Sequence, residues 1–546
     1  MRTPLLASGI LLALYSQGAA ESDWVSLFNG KDLSGWTVTV KDLTPGEDPD
    51  KLVQVRDGAI HMYADSDPEK KVPFGVITHE KTFSRFHLAL EYRWLTKKFA
   101  PRKDAIRDAG LLYHASNTDK VWPSSVEYQI QEGDSGDIIF IAEGGISWAH
   151  PEPDKAPKGQ GDASLLPENG GFPRIGVNQT YFGRFPEHDH LVGWNRSEVI
   201  VHADESAEHI LNGHVRSRLS NIQHLGGGAL KEGKICLQLE GAELQYRDVR
   251  IKELDEPLRP DRPVVSLSAV KDKPARAATL QVRNPLDRPL TADLSITGAD
   301  APAFTANAGK MTLAAGESMT VEVRFLPTHG AGRYSAGLRI GTPEQGAFVI
   351  LQGIGLEAFE GKNEPPLQSI VHALQIPLDV GGTKLELDTN ADAIGGGVLA
   401  KGFIAVNGKK VRVTPLARFS PPGETPFGFD IAGGGQIETG SLADSSEIED
   451  AHQCLFPPLD GGAAHVEFAV PASSSFSLWM QGPKYTSSTV PGESEGATIK
   501  HTARVYPVSH FQGKTMENAW LVGFEEAANG DYQDAVFLIE NVKPAP

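Results

Sequence analysis

Residues 122–137 read WPSSVEYQIQEGDSGD, and the alternation inside them sets the reading of the chain. In Val126-Glu127-Tyr128-Gln129-Ile130-Gln131-Glu132, a period of two places Glu127, Gln129 and Gln131 on one face of a strand and Tyr128 and Ile130 on the other. Glu132 falls on the Tyr128 side unless a bulge at Gly133 turns it over. A Glu–Gln–Gln row offers the donors and acceptors that sugar hydroxyls need. A pair of carboxyls reaching one face would serve acid–base chemistry.

Outward from this strand the same rhythm continues. VQVRDGAIHMY, FGVITHEKTF, RFHLALEYRWL, DAGLLYHA, DIIFIAEGGI, RSEVIVHADESAEHILNGHVRSRL and GKICLQLEGAELQYRDVRIKEL are short β-type segments separated by turn residues. They predict a two-sheet sandwich or jelly roll over residues 22–254. The span from Ala149 to His190 interrupts them with Pro, Gly and charge, and is too long for an ordinary connection. DEPLRPDRP, 255–263, has the composition of a linker. VVSLSAV, ATLQVRNP, LTADLSI, SMTVEVRFLP, SAGLRIG and FVILQGIGL follow, with the rhythm of a seven-stranded immunoglobulin-like β-sandwich over 264–356. A second polar hinge, 357–366, opens a β-rich region over 367–546, whose role the sequence does not reveal. The fold class expected is all-β throughout.

Composition narrows the function. A chain of 546 residues exceeds one core and calls for two to four domains. A formal net charge of −19 argues against a nucleic-acid partner. Arg2, the apolar run Leu5–Tyr15 and the small residues Gly18-Ala19-Ala20 read as a secretory signal peptide, residues 1–20, cleaved after Ala20. A secreted or periplasmic location follows from it. No later segment has the length and apolarity of an integral membrane helix. Cys236 and Cys454 are the only cysteines, so a disulfide framework is excluded and one bridge is not.

The first domain resembles the 3-keto-disaccharide hydrolase domain family. The resemblance rests on Leu27-Phe28-Asn29-Gly30-Lys31-Asp32-Leu33-Ser34-Gly35-Trp36, Asp108 to His114, Glu127-Tyr128-Gln129-Ile130, Trp194-Asn195, Leu211-Asn212-Gly213 and Tyr246 to Leu254. It implies a concanavalin-like β-jelly roll acting on glycosides, in some members on sugars oxidised at carbon 3. The spacing Glu127-x-Gln129-x-x-Glu132 also resembles the Glu-x-Asp-x-x-Glu strand of retaining jelly-roll glucanases. Gln129 replaces the central Asp, and a neutral amide does not tune a neighbouring carboxyl as a charge does.

A 3-keto sugar opens another route. The ketone acidifies the hydrogen at carbon 2, a base removes it, the bond at carbon 1 breaks by elimination, and water adds back. Glu127 is the expected base or metal ligand, His114 its acid or ligand partner, and Glu132 a second catalytic carboxyl. Gln129, Gln131, Trp122 and Trp148 are candidates for binding the sugar, tryptophan by stacking. Glu187-His188-Asp189-His190 offers metal ligands, with Glu127 as a further one. Asp531 and Asp534, with Glu525 or Glu526, form a second candidate site. No cofactor motif is present, and a divalent cation such as calcium is the ion these clusters suit. The first reading is an exported glycoside-cleaving enzyme with a carbohydrate substrate. The alternatives are a non-catalytic carbohydrate-binding or surface-adhesion protein, and a scaffold component built around the middle domain.

Overall fold

The computed structural model of the chain describes residues 23–545 except 153, 155, 157–160, 184–190, 274, 275, 407, 432, 433, 445–449, 472 and 473. The signal segment and the His188-Asp189-His190 cluster therefore lie outside the described residues. The fold is all-β, and the one α-helix among the described residues is Leu367–Ala373.

The N-terminal part is a jelly roll of two sheets. One has ten strands, in the order Phe172–Val177, Glu143–Ala149, His214–His224, Ser206–Leu211, Asn195–His202, Arg85–Lys98, Ala242–Glu253, Ala59–Met62 and Val53–Arg56, with Val25–Ser26 added alongside Ala242–Glu253. The other has eight, in the order Asp162–Ala163, Tyr181–Gly183, Ile138–Ile141, Ser124–Gln131, Asp108–Ser116, Gly233–Leu239, Gly75–Phe83 and Trp36–Val40. Alternation assigns the faces. Val126, Tyr128 and Ile130 join Leu111, Tyr113, Ile235 and Leu237 in the core between the sheets. Their sequence neighbours point to the outer side. The family-like motifs are structural here. Asn29 and Asp32 cap a turn through side-chain hydrogen bonds, and the Trp36 indole donates to Leu27 O at 2.7 Å. Asn212, with φ 50°, donates to the Asn195 side chain at 3.0 Å.

Residues 259–356 form two sheets of four and five strands, the first including Arg259–Pro260 from the linker, that pack on a shared core of Leu280, Val282, Val321, Val323, Leu338, Ile340, Val349 and Leu351. With the short segments included, there are more strands than the seven expected. The C-terminal part has two further six-stranded sheets.

The two polar hinges are packed. Leu258 of the first is 2% exposed and lies in the middle core. Glu364 of the second is buried and accepts hydrogen bonds from Gln453 at 2.9 Å and Gln533 at 3.0 Å. The helix Leu367–Ala373 fills the junction together with Phe172, Val270, Ile354 and Leu416. Cys236 and Cys454 are buried free thiols, on strands of different sheets. No helix among the described residues is long and apolar enough to cross a membrane.

Candidate functional site

On the outer face of the eight-stranded sheet, three neighbouring strands bring polar side chains together. Ser124–Gln131 supplies Glu127, Gln129 and Gln131, all 5% exposed or less. Asp108–Ser116 pairs with it antiparallel, Gly110 opposite Gln129 and Asp108 opposite Gln131. Gly233–Leu239 adds Gln238, with Glu240 just beyond its end. Gly110 decides how close these groups come. A Cβ there would sit 2.2 Å from Glu127 Oε1 and 2.2 Å from Gln238 Oε1, so only glycine lets both side chains converge over the strand.

Asp108, Glu127 and Glu240 thus form a buried carboxyl group with one cation. Arg102 pairs with Asp108 at 2.5 Å and with Glu240 at 3.2 Å. Trp122 donates its indole N–H to Glu240 Oε1 at 2.7 Å, and Gln129 donates to Asp108 Oδ1 at 2.9 Å. Glu127 makes no hydrogen bond or ion pair among the described residues. Burial, followed by the charges of Glu240 and Asp108, holds its pKa well above the ordinary carboxylate range. Burial and Asp108 push Glu240 up to about 7, against the pull of Trp122 and Arg102. Asp108 is raised as well, chiefly by burial. Unpaired like charges in a dry environment hold protons at neutral pH. The Gln129 Oε1 and both polar atoms of Gln238 are buried with no hydrogen-bond partner. Unmet buried polar atoms of this kind mark a place where a ligand is expected to bond.

A cavity of about 650 Å³ opens beside this group, lined by Arg102, Asp108, Gln129, Gln131, Asp162 and Tyr181 among others. That volume suits a disaccharide-sized ligand. Trp122, bonded to Glu240, is 42% exposed, with a ring edge on Phe74. A second cavity, about 520 Å³, lies between the sandwiches against Trp148, Arg218 and Phe348; of the three carboxyls, Asp108 lines the first cavity and none lines this one.

Several expected site residues are elsewhere. His114 does not meet Glu127. Strict alternation from Asp108 would have placed it on the Glu127 face, but it adopts φ 52° in a bulge that shifts the register between Tyr113 and Ser116. Its ring turns into the core against Phe86, with Nε2 bonded to Ala203 O at 3.1 Å. Burial lowers its pKa to about 4. Glu132 leaves the site as well, held by Arg107 in a two-point pair at 2.8 and 3.1 Å. Trp148 belongs to the ten-stranded sheet and donates to Gln375 Oε1 at 2.8 Å, so it is not a stacking platform here. Asp531 and Asp534 do cluster with Glu525, their ligand atoms within 4.8 Å of one another, and this buried triad can hold a metal ion.

Sequence reading missed Asp108, Glu240, Gln238 and Arg102. One signal was available for two of them. In Lys234-Ile235-Cys236-Leu237-Gln238-Leu239-Glu240 the odd-numbered positions are apolar and the even-numbered ones carry Gln and Glu, the pattern that singled out Glu127.

Residues 23–252 match the model of the 3-keto-alpha-glucoside-1,2-lyase-like domain. The match spans the N-terminal jelly roll. No curated protein matches the chain. Among solved structures, a candidate glycosyl hydrolase from Parabacteroides distasonis is 22% identical, with 44% of this chain and 99% of that one covered and a TM-score of 0.26. A galectin-like protein of unknown function from Bacillus subtilis is 13% identical, with 40% and 90% covered and a TM-score of 0.23. The carbohydrate-binding module CBM66 from Bacillus subtilis is 10% identical, with 40% and 96% covered and a TM-score of 0.22. Likenesses of this size leave the chemistry to be argued from the 3-keto-glucoside-type domain and its site.

Proposed function

We propose that the N-terminal jelly roll cleaves glycosides oxidised at carbon 3, by elimination across carbons 1 and 2 followed by hydration. The observation that carries this reading is the three-carboxyl group around Gly110, which holds a proton donor and a proton acceptor within one buried site. Glu240, near pH 7 and faced by Arg102, is the base. It takes the hydrogen from carbon 2, and the electron pair moves into an enolate on the carbon 3 oxygen. Glu127, unpaired and protonated, donates to the leaving oxygen as the carbon 1–oxygen bond breaks. Arg102 is the cation available to the enolate charge. Water then adds across the double bond, its oxygen to carbon 1 and a proton to carbon 2, and the sum is hydrolysis. The exposed part of Trp122 offers a stacking face for the second sugar. The segment at residues 1–20 supports export of the enzyme to act on sugars outside the cytoplasm.

The test pairs a 3-keto disaccharide with its unoxidised parent in deuterium oxide. The keto substrate is expected to be cleaved far faster, and the released sugar to carry deuterium at carbon 2. Equal rates without label would refute elimination. Binding of both sugars with no turnover of either would identify a recognition module instead.

A further inference from the structure

The hairpin that closes the C-terminal sandwich pairs Ala519–Phe524 with Ala535–Glu540, Phe524 opposite Ala535. Its loop, EEAANGDYQD at 525–534, folds inward around Glu525. Glu525 Oε1 accepts the Ala527 N–H at 2.7 Å, and Oε2 accepts those of Gly530 at 2.6 Å and Asp531 at 3.0 Å. Asp534 Oδ2 caps the Glu526 N–H at 2.6 Å. These bonds fix both oxygens of Glu525 and one oxygen of Asp534 in the loop. A carboxylate oxygen of each and one of the third, Asp531, lie within 4.8 Å of one another.

The charges here are not balanced by protein cations. Glu364, Glu525, Glu526, Asp531 and Asp534 are all buried, between 0 and 8% exposed, and among the described residues none of them forms an ion pair. Two buried guanidinia lie near, and both spend donors on neutral acceptors: Arg418 on Ser420 Oγ and the carbonyls of Ala443, Pro421 and Gly423, and Arg504, over the Tyr532 ring, on the carbonyls of Ala391 and Asp388.

Two further observations point to a ligand. Asp531 is 1% exposed, and its Oδ1 receives no hydrogen bond from any N–H or O–H. Tyr485 lies outside the acidic loop and is 7% exposed. Its hydroxyl feels the Glu525 and Asp534 charges yet has no partner at hydrogen-bond distance, beyond a distant approach of the Ala528 amide. A buried carboxylate oxygen and a buried hydroxyl, both aimed at the same acidic loop, are what a hydrated cation would satisfy.

We propose that Glu525, Asp531 and Asp534 bind a single calcium ion that staples the loop 525–534. All-oxygen donors exclude the soft metals. Bonds of about 2.3–2.6 Å let calcium span oxygens up to about 5 Å apart, whereas magnesium, at about 2.1 Å, needs a tighter cage. The staple would reach past its own hairpin. Leu387 N bonds to Gly530 O at 2.7 Å, and Gln533 holds Glu364 of the preceding connection. The role is structural and independent of sugar cleavage.

The full chain, stripped with EDTA and desalted, is titrated with calcium chloride by calorimetry, and separately with terbium, whose emission Tyr485 and Tyr532 would sensitise. One saturable site is expected, with a dissociation constant of about 1 mM or tighter, calcium displacing terbium and magnesium doing so at least tenfold less well. Asp531→Asn and Asp534→Asn should each weaken calcium binding at least tenfold. Absence of any saturable calcium signal up to 10 mM, or equal affinity in a folded Asp531→Asn variant, would overturn the proposal. The wild-type titration decides the matter even if a variant does not fold.

Discussion

Replacing Glu240 with Gln should make the protein more stable and less active, with a pH dependence fixed by the site. Glu240 has a folded pKa of about 7 against an ordinary 4.5. Below pH 4.5 the carboxyl is protonated in both states and costs nothing. As pH rises from 4.5 towards 7 the unfolded chain loses that proton while the folded site keeps it. Stability therefore falls with pH across that window, by about 1.4 kcal/mol per pH unit. The accumulated loss above pH 7 is about 3 kcal/mol. Glutamine removes it, and its carbonyl still accepts the Trp122 indole N–H now held at 2.7 Å. Arg102 loses one partner but keeps Asp108 at 2.5 Å, which offsets part of the gain. The net expectation is about 1–3 kcal/mol of added stability at pH 8 and none near pH 4. Hydrogen exchange of amides in Gly233–Leu239 at the two pH values measures it locally, in a chain whose several sandwiches need not unfold together. Turnover of a 3-keto glycoside should fall by about 10²–10⁴. A stability gain equal at both pH values, or a loss at pH 8, would refute the placement of a charged Glu240 in a dry site.

Glu127→Gln should cut turnover by a similar ~10²–10⁴-fold while leaving sugar binding within a few-fold by calorimetry, because the amide keeps the shape but cannot deliver the proton. Gly110→Ala should displace both Glu127 and Gln238, whose oxygens lie 2.2 Å from the new Cβ, costing about 1–3 kcal/mol in denaturant unfolding and abolishing activity. His114→Gln, by contrast, should leave the pH profile of the remaining turnover unmoved and act only on stability. A shifted profile would return His114 to the chemistry.

The polar face of Ser124–Gln131 was legible because alternation is local, and Glu127, Gln129 and Gln131 do share the outer face. Their partners were not, because they arrive through pairing between distant segments. Gln238 and Glu240 come from a strand more than a hundred residues away, and no local pattern states which strand Gly110 will lie beside. His114 shows a different limit. Its strand is the neighbour of Glu127's, as expected, yet one residue at φ 52° reverses the face for everything after it. Trp148 fails for a third reason, since the chain crosses to the other sheet between Ile138–Ile141 and Glu143–Ala149, and a tryptophan near the acidic strand can belong to the opposite layer.

The two outer faces of the jelly roll have divided their tasks, and the division explains charges that sequence alone could not place. On the ten-stranded sheet, His87 lies between Glu198 at 3.1 Å and Glu344 of the middle sandwich at 2.7 Å. Arg218 binds Glu168 and Glu208, and Glu208 also takes Arg339 from the middle sandwich. Trp148 reaches Gln375. In each case an ionisable or polar group on a sheet surface is matched by a partner from another sandwich, which is the signature of a docking face. On the eight-stranded sheet the ionisable groups are instead left with one cation for three carboxyls, raised pKa values and orphaned amides, beside open volume. Docking removes polar mismatch, and a substrate site retains it until the substrate arrives. That contrast supports the proposed chemistry on the Glu127 face, with the later sandwiches packed against the opposite sheet.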